Sequence, residues 1–306
     1  MDEMKNETEV MAEQTEQIQP PKKKHGALAA IGFGLLMVVI FYAIQTIGAS
    51  FVSVGYVVRY ILENGPQAAT SQKELMEAMM NSGVMTVATT VATVLTTTVF
   101  GLWYFFQYGR KRKFRSDDSL KKIFTWKKTV LYIIAAFCCY LLAVDIISII
   151  ELFTPETVDS YIKMMDELKG GSEGLMALTV VILAPFGEEC IFRGILLKNF
   201  EKRIPILGAI ILQAVFFGIF HMNIVQGIFV VVLGCVCGYV AYKEQSVLPA
   251  ILIHLVYNSS SYLINALPEA IVENDMIWIF APILPLAIGI ALYRAFGFHF
   301  SLKRSE

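Results

Sequence analysis

Residues 184–193 read APFGEECIFR and place two adjacent carboxylates, Glu188 and Glu189, inside an apolar run that covers residues 174–197. Each ionisable side chain in hydrocarbon costs roughly 2–3 kcal/mol on insertion scales. A membrane protein tolerates that cost when the groups face a protein interior or a water-filled cavity. The pair therefore predicts a functional site inside a bundle of membrane-spanning helices.

The composition of the whole chain is typical of a polytopic membrane protein. It has 306 residues, of which 56% are hydrophobic, and its mean hydropathy is +0.60. Several uncharged runs reach the ~20 residues that a helix needs to cross a bilayer. We expect an all-α fold with about eight transmembrane helices, near residues 28–58, 84–108, 129–153, 174–197, 205–222, 224–242, 247–266 and 276–296.

Charged residues are divided unevenly between the loops, although the net charge is only −1. Basic clusters precede the first run and follow the second, fourth, sixth and eighth runs, whereas the intervening loops are acidic or nearly free of Lys and Arg. The positive-inside rule then places both termini in the cytoplasm of a multi-pass cell-membrane protein. We expect residues 1–26, which are polar and acidic, to be a disordered tail, and residues 27–300 to form one transmembrane domain.

Two loops are predicted to form amphipathic helices on the membrane surface. One starts at Pro155, in the preferred cap-then-proline order, and stops at Gly170. Its apolar stripe consists of Val158, Tyr161, Ile162, Met165 and Leu168. The other, residues 119–128, is shorter and basic, which suits anionic lipid headgroups.

The five cysteines all fall within the predicted spans, at positions 138, 139, 190, 235 and 237. Their spacing matches neither a zinc knuckle nor a CxxC redox motif. We therefore expect them to be small buried hydrophobic side chains.

Helical spacing separates the roles of the two glutamates. Glu189 and Arg193 are four residues apart with the acid first, which favours an ion pair on one helical face. Glu188 lies about 100° round the helix and has no helical partner. An unpaired carboxylate in low dielectric holds its proton more tightly, as a general base working near neutral pH must. Glu188 is thus the predicted reactive group, and an ion cluster that only ties helices together is the alternative.

Two histidines lie in apolar runs downstream. Phe217 and His221 are four residues apart, so the aromatic ring can pack one turn from the imidazole and exclude water. His254 and Asn258 repeat this spacing and can supply the two donors of an oxyanion hole. Taken alone, His221 would be a core histidine more often than a catalytic one, and Asn258 a contact between helices.

These three pieces, EExxxR at 188–193, FxxxH at 217–221 and HxxxN at 254–258, resemble the signature motifs of the CPBP family. That family comprises type II CAAX prenyl endopeptidases and bacterial Abi-type bacteriocin-processing or immunity proteins. The motifs occur in order with the right internal spacing, and the similarity spans about residues 130–265. The resemblance implies an eight-helix intramembrane protease with its core in that region, acting on a peptide or membrane-protein substrate.

The resemblance also implies a role for each motif residue. Glu188 and His221 would activate a water, and His254 and Asn258 would stabilise the tetrahedral intermediate. Glu189 and Arg193 would support them. Metal use stays open. Glu188, His221 and His254 would form a His₂Glu set like that of catalytic zinc sites. However, the sequence has no His-Glu-x-x-His helix, and a metal-free glutamate mechanism is equally compatible with these residues.

The estimated depth of His221 in the membrane conflicts with a site that it shares with Glu188 and His254. At about 1.5 Å per residue, Glu188 and His254 lie roughly 15 Å and 10 Å from the cytoplasmic ends of their helices, but His221 lies roughly 24 Å away. Tilt, or a later start of the fifth span near Gly208, would bring His221 back. If neither applied, the three-helix site would be wrong.

Other classes of function remain compatible with the sequence. A transporter also places carboxylates and histidines in the membrane, but the sequence shows no repeat symmetry. A non-hydrolytic scaffold or immunity protein is the nearer alternative. A short tail without a signal peptide is typical of a bacterial protein, and most bacteria lack protein prenylation. We therefore expect leader peptides or small membrane proteins as substrates, with the lipid bilayer as a partner and no nucleic acid.

Overall fold

The structure, a computed structural model, describes residues 26–69, 71–109, 118–169, 171–265 and 280–297. Across these ranges the chain is helical and contains no strand, which confirms the all-α polytopic fold. The helices are α1 Gly26–Asn64, α2 Gln72–Asn81, α3 Val84–Tyr104, α4 Asp118–Ile123, α5 Trp126–Phe153, α6 Pro155–Lys169, α7 Glu173–Phe200, α8 Ile206–Ile219, α9 Ile224–Glu244, α10 Leu248–Asn265 and α11 Ile283–Ala295. The predicted disordered tail lies outside the described residues, except for Gly26.

Five helices are long and apolar enough to cross a membrane, namely α1, α3 with the π turn that follows it, α5, α7 and α9. The other three predicted spans correspond to α8, α10 and α11, which are shorter apolar helices. α8 has 14 residues, fewer than the ~20 that a single crossing requires. The eight apolar segments were thus predicted correctly, and three of them are shorter helices over the residues that the structure describes. The start of the eighth predicted span lies outside the described residues.

Two helices differ from the prediction: α1 is longer than expected, and α2 forms where a loop was expected. α1 continues past Arg59 to Asn64, and Arg59 Nε pairs with Glu63 Oε1 at 2.8 Å on its exposed surface. α2 lies in a segment that was predicted as an acidic loop. It begins after Ser71, whose hydroxyl accepts the backbone N–H of Glu74 at 3.3 Å. The Ser-x-x-Glu spacing is a capping-box signal that the sequence already contained.

The predicted surface helices differ in outcome. α6 begins at Pro155 as predicted, but it also packs on the bundle, since Val158 is buried and the Tyr161 ring meets Phe229 edge-on at 6.2 Å. Burial, with a smaller contribution from Tyr140, raises the pKa of Tyr161 to about 12. The second surface helix was predicted over residues 119–128, and its predicted end was wrong. α4 stops at Ile123, and the extended backbone of Thr125 caps the start of α5.

The α8–α9 hairpin sets the position of the second motif. A Cβ on Gly218 of α8 would lie 2.5 Å from the carbonyl oxygen of Gly227 on α9, so only glycine permits this approach. α8 ends two residues before His221, and Met222 turns the chain with a positive φ of 49°. The five cysteines are free and buried or half-buried within the helices, as expected.

Candidate active site

The acidic turn of α7 lies between two π-helical segments, Leu178–Leu183 and Cys190–Leu196. Hydrogen bonds in a π segment run to the carbonyl five residues back, and each such segment accommodates an extra residue. The intervening turn, Ala184–Glu189, has regular α geometry. π segments occur frequently at functional sites, and this pair brackets both glutamates.

Asn258 completes the backbone hydrogen bonding of the first π segment. The N–H of Ala184 bonds to the carbonyl of Thr179, five residues back. The next carbonyl in this register is that of Val180, and its partner would be residue 185, a proline without an N–H. Asn258 Nδ2 donates to Val180 O at 2.8 Å instead. One amide hydrogen of the predicted oxyanion donor is therefore already used.

The predicted ion pair between Glu189 and Arg193 is formed. Arg193 Nη1 lies 2.9 Å from Glu189 Oε1, and both side chains are fully buried. Arg193 Nη2 also donates to the carbonyl of Gly234 on α9 at 3.4 Å. The guanidinium stacks 4.7 Å from the centre of the Phe217 ring. α7 is thereby fixed against both α8 and α9.

His254 lies between the two carboxylates. Its Nδ1 is 2.9 Å from Glu189 Oε1, and its Nε2 is 3.7 Å from Glu188 Oε2. A carboxylate only accepts in such a bond, so Nδ1–H is the donor. Helical spacing alone left Glu188 without a partner. That interpretation was incomplete, because the partner comes from α10 and no argument confined to α7 could identify it.

The orientation of His221 leaves one ring nitrogen free. The Nδ1–H of His221 donates a hydrogen bond of 2.8 Å to the carbonyl oxygen of Phe217. In the neutral ring, Nε2 therefore carries the lone pair. Phe217 packs edge-on against both imidazoles, at 4.9 Å from His221 and 5.7 Å from His254. Glu188 and His254 are both near enough to His221 to act on it electrostatically.

The three motifs therefore meet at one place, although α8 begins at Ile206 and not near Gly208. The relative placement of α8 and α10 takes up the difference in depth between His221 and His254, since one phenylalanine ring contacts both imidazoles. Of the two carboxylates, Glu189 is fully buried, whereas the Glu188 side chain keeps 22% of its surface exposed. Glu188 is thus the carboxylate that a reactant can reach.

Residues 171–260 match the family model of the type II CAAX prenyl endopeptidases, Rce1-like. The matched region covers α7, α8, α9 and most of α10, and it includes all three motifs. This part of the chain is thus similar to the CAAX prenyl endopeptidases. The similarity supports intramembrane CAAX-type protease activity in general, in a multi-pass membrane protein. Comparisons with curated proteins and with solved structures gave no match.

Gln213 lies in the matched region, and none of the three motifs includes it. It is fully buried on α8, and its Nε2 donates at 2.7 Å to Gly234 O, the carbonyl that Arg193 also reaches. Gln213 thus joins α8 to α9 at the carbonyl that also accepts from Arg193. A sequence signal existed, since Gln213 is the one strongly polar side chain in the run ILGAIILQAVFFGI.

Tyr42 is a second residue that the motifs did not reveal, and it lies on α1, outside the matched region. Its hydroxyl donates a short hydrogen bond to the carbonyl of Phe220, the residue before His221. The charge of Glu188 also acts on this phenol. A helix that carries none of the motifs therefore contacts the chain next to His221.

The histidines and the carboxylate of the site fit a catalytic zinc ion in one respect and not in another. Both imidazoles bond an oxygen through Nδ1 and leave Nε2 available, as metal-binding histidines commonly do. Yet among the described residues no three His, Cys, Asp or Glu side chains are grouped so as to hold one ion. The side chains of Glu188, His221 and His254 as placed do not form a His₂Glu site.

Proposed function

We propose that this protein is an intramembrane endopeptidase that hydrolyses a peptide bond with a water activated by Glu188 and His221. The observation that carries the proposal is the difference between the two carboxylates. Glu189 Oε1 is engaged by both Arg193 and His254. Glu188 is partly exposed, and within the described part of the chain its one ion-pair partner is His254 Nε2, at 3.7 Å. One carboxylate is bound structurally and the other is available for chemistry.

In the proposed reaction Glu188 accepts a proton from the water while the water oxygen forms a bond to the scissile carbonyl carbon. His221 Nε2 accepts a hydrogen bond from the second O–H of the water, whose proton stays on the oxygen, because Nδ1 is committed to Phe217 O. As the C–N bond breaks, the proton held by Glu188 passes to the leaving amine. The products are a carboxylic acid and an amine, and Glu188 returns to its starting state.

Amide hydrolysis also requires that the negative charge on the tetrahedral intermediate be stabilised. We assign its stabilisation to His254 and to the amide hydrogen of Asn258 that does not bond Val180. The Glu189 carboxylate holds the His254 ring through Nδ1, so Nε2 faces the Glu188 side of the site, where the oxyanion would form. Glu189 would thus act through His254 and Arg193 without contacting the substrate.

The substrate in this proposal is a peptide or a small membrane protein whose scissile bond reaches the bilayer, in a bacterial cell membrane, with no part for nucleic acid. Purified protein in liposomes should cleave a fluorogenic peptide library, and cleavage in H₂¹⁸O should place ¹⁸O in the new carboxyl terminus. Glu188→Gln should yield no labelled product. Labelled product at an equal rate from wild type and Glu188→Gln would contradict the assignment.

A non-hydrolytic scaffold or immunity protein is the second candidate. The observation that favours it is the use of Asn258 Nδ2 by Val180 O, since a donor bound to the backbone is less free for an oxyanion. Complementation of a deletion strain discriminates the two functions. A scaffold predicts that Glu188→Gln restores the wild-type phenotype, whereas the protease predicts that it fails although the protein is present in normal amount.

A further inference from the structure

A small recess opens beside Glu188 between α1, α3 and α7. Its volume of about 30 Å³ suits one or two water molecules, each of which needs at least roughly 10–15 Å³ of such space. Besides Glu188, its polar lining consists of Gln45, Thr93, Thr96 and Thr97. A polar lining of this kind is what separates a site that holds water from a dry cavity.

The hydrogen-bonding state of the lining identifies which groups would hold a water. Thr96 donates to Ala92 O at 2.7 Å, and Thr97 donates to Leu183 O at 3.0 Å, so both hydroxyl protons are used. By contrast, the buried Thr93 hydroxyl and the Gln45 amide make no hydrogen bond with any residue that the structure describes. Together with the partly exposed Glu188, they give a water the two to four partners that it requires.

Close helix packing on either side explains why the recess persists. A Cβ on Gly187 would lie 2.5 Å from Thr97 Oγ1, so α7 approaches α3 closely next to Glu188. A Cβ on Gly48 would lie 2.8 Å from the Cα of Ala92, so α1 approaches α3 one turn from Gln45. The polar gap is thus bounded by two contacts that only glycine permits.

We infer that this recess holds the water that Glu188 deprotonates, and that Gln45 and Thr93 are positioning residues for it. The inference rests on the proposed hydrolytic function. In it, the Thr93 hydroxyl donates to the resting water, while the Gln45 amide oxygen accepts one water hydrogen and Glu188 the other. The hydrogen bond to His221 Nε2, which does not line the recess, forms as the water moves to attack and its proton passes to Glu188. Gln45 and Thr93 lie on α1 and α3, so helices outside residues 171–260 supply the reactant.

Kinetics of isosteric variants test the positioning role. Thr93→Val and Gln45→Met should lower kcat on the order of tenfold each, the usual worth of one hydrogen bond, and leave KM and the unfolding temperature unchanged. Thr93→Ser keeps the hydroxyl and should retain wild-type kcat. Thr98→Val and Thr46→Val, at exposed positions of α3 and α1, are the matched controls. Wild-type kcat in both Thr93→Val and Gln45→Met would overturn the inference.

Radiolytic footprinting supplies a readout that does not depend on cleavage. Radicals formed from a bound water oxidise the aromatic side chains beside it. Phe41, which lines the recess, should be oxidised more than Phe33, which is likewise partly buried against the core on α1 but does not line the recess. Thr93→Val should remove the excess. Equal oxidation of the two rings would overturn the water site. Excess oxidation of Phe41 with full activity in Glu188→Gln would instead refute the proposed function and leave the water site standing.

Discussion

Asn258 of α10 donates a hydrogen bond of 2.8 Å to the carbonyl of Val180 in α7, the carbonyl whose helical partner position is occupied by Pro185. A contact between two helices thus replaces a hydrogen bond that α7 cannot make for itself. It joins the third motif to the helix of the first motif, and it gives Asn258 a structural role besides the one that the family resemblance implies.

This relationship predicts a coupling between two substitutions. Asn258→Leu should lower the free energy of unfolding by about 1–3 kcal/mol, because Val180 O is left buried without a donor. Pro185→Ala restores a backbone N–H, so the double variant should recover most of that loss. Thermal unfolding in detergent measures both. Additive effects in the double variant would show that Pro185 and Asn258 are not linked through this carbonyl.

Activity of the same double variant separates the two roles of Asn258. If the residue only satisfies Val180 O, peptide cleavage should return together with stability. If its second amide hydrogen also stabilises the intermediate, cleavage should stay low, by about 10²–10³-fold for one oxyanion donor. We expect the second result, with KM close to that of the wild type.

The two adjacent glutamates should respond differently to the same substitution. Glu188→Gln keeps the shape of the side chain but removes the base, so cleavage should fall by about 10²–10⁴-fold while the protein stays folded. Glu189→Gln leaves Arg193 buried without its carboxylate, and breaking such a pair typically costs ~3–5 kcal/mol. Loss of folded protein should therefore accompany loss of activity. Cleavage of a fluorogenic peptide and thermal unfolding, measured on both variants, provide the comparison.

Metal content tests the choice between the two forms of water activation. With the side chains as placed, we expect purified protein stripped of metal to retain cleavage. A zinc enzyme would instead carry near one equivalent of metal, and phenanthroline would remove the metal and the activity together. Joint loss and joint recovery on adding zinc back would show that His221 moves towards Glu188 and His254 to complete a His₂Glu site.

Membrane orientation is predicted from loop charges alone. Cysteine labelling or reporter fusions should place residues 110–115 in the cytoplasm and residues 156–169, which include most of α6, on the opposite side. α6 should also label less at Val158 than at Ile162, since Val158 is buried and Ile162 is exposed. Labelling of both loops from one side would refute the alternation on which the orientation depends.

Local features of the site were accessible from the sequence, and contacts between helices were not. The Glu189–Arg193 pair follows from i,i+4 spacing within one helix, and the packing of Phe217 on His221 follows from the same rule. His254 between the glutamates and Gln45 beside Glu188 depend on how α1, α7 and α10 are packed, which no periodicity encodes. The hydrogen bond between Asn258 and Val180 could not be predicted without knowing that α7 has a π segment there. The sequence showed only that Pro185 lacks an N–H.

The contact between His254 and the two glutamates also orders events during synthesis of the chain. Glu189 and Arg193 leave the ribosome almost together and can pair as α7 forms. His254 follows Glu189 by 65 residues, which at about 5–20 residues per second means a delay of roughly 3–13 s. During that interval Glu188 has neither its histidine nor a finished bundle around it. Neutralisation of the acidic turn is therefore a late step in biogenesis, and nascent chains arrested before α10 should hold α7 in the membrane less firmly than full-length chains do.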